Sequence, residues 1–280
     1  MATGFVHASA GESLVAQKTS SRLRKTLAAL DEAISDDGYP MPPERGVVMG
    51  TPSFKDIGTT FLGYFVEFGD LEPTHAVLDI GCGGGRMAAP LLYYLDDGSY
   101  QGFDVHKESI DWCVEAIAPR HPRFGFEFVD LDNPIYNRSS RSAVDFVFPY
   151  AEDTFDFAIA TSVFTHMFSD EVANYLRQTF RVLRPGAAFF CTAFLLTPSS
   201  VAEMTRNAGA FKFLSEHQGS LITEPERPAG AVGHFAEHFF SLATMSGFIP
   251  ERFIMGQWSG SGAGVTWQDI LVLRKVDRSE

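Results

Sequence analysis

The chain has 280 residues and a formal net charge of -13 at pH 7. Such a negative charge argues against a nucleic-acid or anionic-membrane partner and favours a small-molecule ligand. The three cysteines, Cys82, Cys113 and Cys191, lie far apart without metal-ligand spacing, which predicts reduced thiols and no metal site. No apolar run reaches the roughly 20 residues that span a bilayer, and basic residues interrupt any signal-like start. We therefore expect a cytoplasmic protein with no membrane span, and homo-oligomerisation stays open.

Two helices are predicted before the first strand. Apolar residues recur at helical spacing within residues 23–34, and a second, aromatic-rich helix covers residues 54–68. The first aromatic side chains of this second helix are placed to close over a ligand. We expect residues 1–70 to form a helical segment and lid, and residues 71–280 to form the main domain.

The stretch AVLDIGCGGGR is predicted to be a buried strand that leads through a glycine turn into a helix. Gly81, Gly83 and Gly85 alternate directly after the strand, and Asp79 stands two residues before them. A turn of this kind lies at the carboxyl edge of a parallel sheet, where glycines let a ligand approach the backbone. The acid suits a cationic nucleoside such as S-adenosylmethionine (SAM) better than a pyrophosphate. The shifted pattern Gly83-x-Gly85-x-x-Ala88 leaves a nicotinamide or flavin nucleotide open.

Acids also end the second and third predicted strands. Asp104 follows the glycine turn at about the 20-residue offset at which a carboxylate accepts both ribose hydroxyls of an adenosine ligand. Asp130 is predicted to bind the adenine amino group, with Leu131 against the ring. Three residues next to these motifs or at the end of the fourth strand complete the predicted cofactor site: Arg86, Val105 and Thr161.

Five predicted strands alternate with helices, which is typical of an α/β fold with a doubly wound parallel sheet. Residues 197–234 break this rhythm, because the segment is long and rich in glycine, proline and charged residues. We predict that it forms an inserted cap over the substrate. A helix and two further strands, joined by a glycine-rich hairpin, follow the cap.

Together these motifs resemble the class I SAM-dependent methyltransferases over about residues 54–274. The matching features are the glycine turn, the acids Asp104 and Asp130, and the turn VLRPG before the fifth strand. The resemblance implies a Rossmann-like sheet of seven strands in the order 3-2-1-4-5-7-6, with the last strand antiparallel. It also implies that the glycine turn holds the methionine part of SAM, while Asp104 binds the ribose and Asp130 the adenine.

In that family the residues at the end of the fourth strand indicate which class of acceptor is methylated. This chain has Ser-Val-Phe-Thr at residues 162–165, in place of the Asn-Pro-Pro-Tyr type tetrapeptide of enzymes that methylate bases. It also lacks the two glutamates of protein arginine methyltransferases and the strand-end aspartate of metal-dependent catechol enzymes. The stretch is similar to that of bacterial sugar- or natural-product-directed O-methyltransferases. The resemblance therefore implies transfer of a methyl group to a hydroxyl of a sugar, lipid or natural product.

His166 is the candidate general base, because it follows the fourth strand on the edge where the methyl group should lie. A histidine that packs against the cofactor or caps a turn is the alternative. His234, Glu237 and His238 flank the predicted cap and are further candidates for binding acceptor hydroxyls.

Two other functions stay open. A nicotinamide-dependent oxidoreductase would use the shifted glycine pattern, although it gives no reason for Asp79. A SAM-binding module without catalysis would keep Asp79 and Asp104 and have no use for His166.

Overall fold

The structure is a computed structural model that describes Lys25, Ala28 and residues 39–42, 54–262 and 264–276. The helix predicted within residues 23–34 lies almost entirely outside the described residues, and so does most of the chain before residue 54. The lid assigned to residues 1–70 therefore stays a prediction. Of its two predicted helices, the structure describes the second.

Strands and helices alternate through the described chain. The strands are β1 (Ala76–Ile80), β2 (Ser99–Asp104), β3 (Phe124–Phe128), β4 (Phe155–Ala160), β5 (Leu183–Leu196), β6 (Ser215–His217), β7 (Ser220–Ile222), β8 (Val232–Phe235), β9 (Phe248–Ile254) and β10 (Asp269–Lys275). The α-helices are α1 (Phe54–Gly69), α2 (Ala88–Tyr94), α3 (Lys107–Ala116), α4 (Ser169–Val182), α5 (Pro198–Arg206) and α6 (Ala236–Met245). Short 3₁₀ helices cover Ala118–Arg120, Ala143–Asp145, Phe164–His166 and Pro228–Gly230.

Seven of these strands form the predicted sheet. Hydrogen bonding orders them β3-β2-β1-β4-β5-β10-β9, with β1 to β5 parallel and β10 antiparallel to both β5 and β9. This is the order 3-2-1-4-5-7-6 with an antiparallel last strand, so the predicted fold class is confirmed. The carboxyl ends of β1, β2 and β4 consequently meet at one edge of the sheet.

The sheet is buried on both faces. Ala158 and Ala160 of β4 pack in one apolar cluster with residues of α4 and α6. Phe157 and Ile159 of the same strand pack in a second cluster with residues of α1 and α2. Because side chains alternate along a strand, a strand covered on both faces must be apolar throughout. This is why the strand segments of the sequence are nearly continuous apolar runs.

The segment predicted as a cap is an extension of the sheet. It contains α5, the antiparallel hairpin of β6 and β7, and β8. Strand β5 pairs with β10 through Ala193 and then, from Phe194 to Leu196, pairs in parallel with β8. The predicted boundary at residue 234 falls inside β8, so the cap and the core share a continuous backbone hydrogen-bond network.

A buried carboxylate accepts hydrogen bonds from several segments at the place where β5 stops pairing with β10 and begins pairing with β8. Asp269 accepts hydrogen bonds from the backbone N–H groups of Leu195 and Gly256, at 2.7 and 2.6 Å, and from the indole N–H of Trp258 at 2.8 Å. Trp258 packs in an apolar cluster under the cap with Phe194 and Phe213. These donors satisfy a carboxylate that is 1% exposed.

The three cysteines are free and buried, as predicted. Within the described ranges, no helix is long and apolar enough to cross a membrane. The same residues hold no group of three or more His, Cys, Asp or Glu side chains that could bind a metal ion.

Candidate functional site

A cavity of about 250 Å³ opens at the edge of the sheet where β1, β2 and β4 end. It lies between the glycine turn, the segment after β2, and the 3₁₀ turn after β4. Its described lining residues are Phe54, Gly81, Cys82, Gly83, Gly84, Arg86, Met87, Phe103, Asp104, Val105, His106, Ser109, Asn133, Tyr136, Thr161, Ser162, Val163, His166, Met167 and Tyr175.

The three alternating glycines all have positive φ angles, but each faces different surroundings. A Cβ atom on Gly83 would meet no atom within 4 Å, so this residue leaves open space on the cavity side. A Cβ on Gly81 would lie 2.6 Å from Cγ2 of Val163, which places the turn directly against the segment after β4. A Cβ on Gly85 would lie 3.2 Å from Sγ of Cys113 on α3. Gly85 therefore serves helix packing, and the structure does not support its predicted contact with the cofactor.

Asp79 is fully buried and does not line the cavity, contrary to the prediction that its carboxylate faces a ligand. It lies on the face of β1 that also carries Val77, and its Oδ2 accepts a 2.7 Å hydrogen bond from the hydroxyl of Tyr100 on β2. Its Oδ1 has no hydrogen-bond partner among the described residues. Burial raises the pKa of Asp79 to about 7, against the opposing effect of the Tyr100 hydrogen bond.

Asp104 lies at the end of β2 and lines the cavity, where it was predicted to bind ribose. Its Oδ2 accepts a hydrogen bond from the backbone N–H of Gly83, and its Oδ1 accepts one from that of His106, both at 2.7 Å. Burial raises the pKa of Asp104, and these two N–H donors oppose the shift. Each carboxylate oxygen keeps a further acceptor site, so the fixed carboxylate can also accept hydroxyl donors from a ligand.

Three other predicted cofactor residues line the same cavity: Arg86, Val105 and Thr161. Arg86 is half-buried, and no carboxylate of the described residues lies within ion-pair distance of its guanidinium. Burial lowers the pKa of Arg86, with the nearby Asp79 acting in the opposite direction. A guanidinium so placed offers a binding partner to an anionic group of a ligand.

Asp130 and Leu131 do not line the cavity, so the structure does not support their predicted contacts with adenine. Asp130 is exposed and accepts a 3.0 Å hydrogen bond from the side-chain amide of Asn137. Leu131 is 1% exposed and packs in the core. Strand β3 ends at Phe128, two residues before the exposed Asp130.

The residues that reach the cavity from this segment are Asn133 and Tyr136, which the sequence reasoning missed. The side-chain oxygen of Asn133 accepts hydrogen bonds from the backbone N–H groups of Ile135 and Tyr136, at 2.9 and 3.2 Å. This turn projects the Tyr136 ring into the cavity. Asn followed by Pro134 is a typical turn start, and it was the signal available in the sequence.

His166 lines the cavity from the 3₁₀ turn after β4, as predicted from its place in the sequence. Its Nδ1 lies 2.9 Å from the backbone oxygen of Ala229 in the cap. A carbonyl oxygen only accepts, so Nδ1 carries the proton and Nε2 of the neutral ring holds the lone pair. Burial lowers the pKa of His166 from its ordinary value of 6.5, against the opposing effect of the backbone at Ala229 and Gly230. The ring is therefore neutral at pH 7.

The other predicted substrate residues do not line the cavity. His234 is 2% exposed, and its Nε2 donates a 2.8 Å hydrogen bond to the backbone oxygen of Phe164. It thus ties β8 to the 3₁₀ turn that carries His166. Glu237 and His238 are exposed on α6. The sequence placed these residues correctly at the end of the cap, but it did not indicate which way their side chains point.

We expect His234 to make folding stability depend on pH. Burial lowers its pKa from 6.5 to about 4, so the folded state favours the neutral ring. The contribution of the neutral His234 ring to the free energy of unfolding is complete above pH 6.5 and is lost as the pH falls toward 4. The free energy of unfolding should be lower by about 2 kcal/mol near pH 5. Urea unfolding of wild type and His234→Gln, at about pH 7.5 and about pH 5, measures this loss.

The exposed neighbour provides the control. The acid loss should shrink in His234→Gln, whose side chain cannot take up a proton, and should persist in His238→Gln. Equal acid losses in wild type and His234→Gln would contradict the role given to His234.

Comparison with known proteins identifies the domain that surrounds this cavity. Residues 78–191 match the family model described as a methyltransferase domain. The chain is 32% identical over 116 residues to the fatty-acid O-methyltransferase of Mycolicibacterium smegmatis, a match that covers 41% of this chain and 36% of that enzyme. The match thus spans little more than a third of the length of this curated relative.

Solved structures share the fold. A SAM-dependent methyltransferase from Methanosarcina mazei aligns with a TM-score of 0.50 at 20% identity, over 74% of this chain and 94% of that one. The PH0226 protein from Pyrococcus horikoshii aligns with a TM-score of 0.59 at 16% identity, over 84% and 96% of the two chains. Residues 78–191 therefore match a methyltransferase domain, and the chain has the fold of these solved SAM-dependent methyltransferases. These similarities support SAM, the ligand predicted from the glycine turn, as the cofactor.

Proposed function

We propose that the protein uses SAM to methylate an oxygen atom of a small-molecule acceptor. The observation that carries this proposal is a neutral His166, with its lone pair on Nε2, in the same cavity as the glycine turn and Asp104. A cofactor site and a base thus share one space. The proposal combines the methyltransferase domain with a residue suited to deprotonating a hydroxyl group.

The cavity residues fit SAM as the bound group. Gly83 leaves open space that a side chain would fill, Asp104 offers acceptor sites for hydroxyl groups, and Arg86 offers a cation for a carboxylate. Bound SAM supplies a methyl group on a positively charged sulfur. The protein's own contribution is to hold both reactants in place, and good positioning can supply ~7–11 kcal/mol of barrier reduction.

In this proposal His166 accepts the acceptor's proton at Nε2. The Ala229 carbonyl fixes the tautomer, because it accepts a hydrogen bond from Nδ1–H, so the proton of the neutral ring stays on Nδ1 and Nε2 carries none. A residue of the cap therefore orients the base, although no residue of 197–234 is among the described residues that line the cavity. We propose that residues 197–234 also select the acceptor.

The acceptor is proposed to carry a hydrophobic part beside its methylated oxygen. The cavity lining combines apolar side chains, including Phe54, Met87 and Met167, with the polar groups described above. Apolar walls with few polar groups are usual in sites for small organic molecules. A lipid, an aglycone or a polyketide with a hydroxyl group fits this description.

A carboxylate acceptor is the second candidate, and the similarity to a fatty-acid O-methyltransferase favours it. A carboxylate is already ionised at pH 7, so it needs no base. The formation of S-adenosylhomocysteine (SAH) from SAM, with 1-tetradecanol and with myristic acid as acceptors, distinguishes the two. A His166-dependent reaction of the alcohol supports the hydroxyl proposal, and a His166-independent reaction of the acid supports the second candidate.

Binding measurements separate the remaining alternatives. A nicotinamide-dependent oxidoreductase would bind NAD or NADP in place of SAM, and a SAM-binding module would bind SAM without forming SAH. We expect binding of SAM and SAH, no useful affinity for NAD or NADP, and SAH formation that depends on an added acceptor. Tight binding of NAD without binding of SAM would contradict the proposal.

Asp104→Ala should weaken SAM binding, because it removes charge-assisted hydrogen bonds worth about 1.5–3 kcal/mol each. Asp104 also anchors the N–H of Gly83, so the loss has a direct part and a part through the glycine turn. Calorimetric titration of SAM measures it. Asp130→Ala is the matched control, since Asp130 is exposed and lies outside the cavity lining. Equal losses in the two variants would contradict the assignment of the site to Asp104.

A further inference from the structure

Ser162, the second residue after β4, lines the cavity in an unusual backbone conformation. Its φ angle is +62°, in the left-handed region that residues other than glycine seldom adopt. Such a conformation costs about 1 kcal/mol or more and persists where the surrounding structure enforces it. The hydrogen bonds of Ser162 show what enforces it.

Ser162, Thr192 and Gln268 form a closed ring of hydrogen bonds. The backbone N–H of Ser162 donates to Oγ1 of Thr192 at 2.8 Å. Thr192 is fully buried, so its hydroxyl proton needs an acceptor, and Oε1 of Gln268 lies 2.6 Å away. The amide nitrogen of Gln268 then donates back to Oγ of Ser162, at 2.8 Å. The need of the buried Thr192 proton for an acceptor thus sets the orientation of the Gln268 amide and, with it, the direction of the ring.

A second donor occupies the remaining lone pair of the Ser162 hydroxyl. Oγ1 of Thr165 lies 3.4 Å from Oγ of Ser162, and Thr165 is 1% exposed. Among the described residues, Thr165 has no other side-chain hydrogen-bond partner in the structure. A buried hydroxyl needs an acceptor for its proton, so Thr165 donates to Ser162. With both lone pairs taken, the Ser162 hydroxyl can only donate its own proton, and Ser162 is one of the residues that line the cavity.

We propose that Ser162 binds an oxygen atom of the molecules held in the cavity, and that Gln268 is the positioning residue that keeps the Ser162 proton directed at it. This inference rests on the proposed function, since it assigns the hydroxyl to the SAM and acceptor site. The oxygen recognised is a hydrogen-bond acceptor, best one with negative charge. It belongs either to the carboxylate of SAM or to the reacting group of the acceptor.

Gln268→Glu replaces the amide nitrogen that donates to Ser162 by a carboxylate oxygen that only accepts, and it keeps the size of the side chain. A carboxylate at this position still accepts from Thr192, but its second oxygen also needs a donor and therefore draws the Ser162 proton away from the cavity. Loss of one such hydrogen bond should cost roughly tenfold in affinity or turnover. Gln257→Glu is the matched control, because Gln257 lies in the same loop and bonds instead to the Gly264 carbonyl.

Two kinds of measurement distinguish the sources of the oxygen. Calorimetry gives the affinities for SAM, SAH and 5′-methylthioadenosine, which lacks the carboxylate. SAH formation is followed with myristic acid and with 1-tetradecanol. If Ser162 serves the carboxylate of SAM, Gln268→Glu weakens SAM and SAH roughly tenfold and leaves 5′-methylthioadenosine unchanged. If it serves the acceptor, the three affinities are unchanged and SAH formation falls roughly tenfold.

Ser162→Ala and the double variant test whether Gln268 acts through Ser162. Ser162→Ala should reproduce the loss, and adding Gln268→Glu to it should cost nothing more, because both changes remove the same donor. Thermal unfolding of each variant separates this loss from general destabilisation. Binding of SAM by the wild type tests the proposed function by itself. The Ser162 proposal is overturned if Gln268→Glu matches wild type in binding and SAH formation, if 5′-methylthioadenosine weakens as much as SAM, or if Gln257→Glu has the same effect.

Discussion

His166→Ala should lower kcat and kcat/KM for a hydroxyl acceptor together, by roughly 10²–10⁴-fold, with SAM affinity close to that of wild type. The proton transfer belongs to the transition state, so its loss should not affect binding of the cofactor. The neutral ring is already set for this role by the bond from Nδ1 to Ala229. Steady-state kinetics of SAH formation and calorimetric titration of SAM measure the two parts.

The pH profile and added imidazole provide further tests of the base. Because burial lowers the pKa of His166 below 6.5, wild-type kcat should hold through pH 6.5 and fall only as the pH drops through that lowered value. Added imidazole should restore part of the activity of His166→Ala. His238→Ala, at an exposed position on α6, should behave as wild type. Full turnover by His166→Ala would end the assignment, and weaker SAM binding with normal turnover would indicate a packing role.

Gly83→Val should abolish SAM binding while the protein still folds. A Cβ at Gly83 meets no protein atom within 4 Å, so the added side chain extends into space that the cofactor would use. The φ angle of +52° adds a backbone cost in the folded state, about 1–2 kcal/mol for a residue that is not glycine. We expect the dissociation constant for SAM to rise by roughly 100-fold or more, which corresponds to about 3 kcal/mol. Calorimetry measures the binding, and circular dichroism confirms folding.

Gly186→Val isolates the backbone cost from the effect on the cavity. Gly186 has a φ angle of +78°, a Cβ there also meets nothing within 4 Å, and the residue is exposed in the irregular first part of β5. Gly186→Val should lose thermal stability comparably and keep normal SAM affinity. Normal SAM binding by Gly83→Val would show that the open space above the turn is not the cofactor site.

The parallel sheet was predictable from local patterns in the sequence, while the order of its strands came from the resemblance to the class I SAM-dependent methyltransferases. A buried parallel strand must be apolar on both faces, and alternation with helices limits how such strands can be arranged. The same reasoning placed Asp104 and His166 at the edge of the sheet, since Asp104 ends β2 and His166 lies in the turn that follows β4. Position along the chain therefore indicates which edge a residue reaches.

The errors concern side-chain direction, which position along the chain does not determine. Asp79 precedes the glycine turn, but the alternation of β1 turns its carboxylate toward Tyr100. Asp130 follows β3 by two residues and is exposed, whereas the later turn at residues 134–136 brings Tyr136 to the cavity. His234 faces a backbone carbonyl instead of the cavity because β8 pairs with β5, a contact between distant segments.

The position of β10 has a consequence for how this chain reaches its native state during translation. Strand β10 lies between β5 and β9, and its residues Ile270 to Leu273 are all 0% exposed. It follows every other described strand in the sequence, so a ribosome completes β5 and β9 before their shared neighbour emerges. Until then both strands present unpaired apolar edges, the kind of surface on which nascent chains aggregate. We therefore expect chains stopped before residue 269 to depend on chaperones, and the sheet to close only when the β10 segment has left the ribosome.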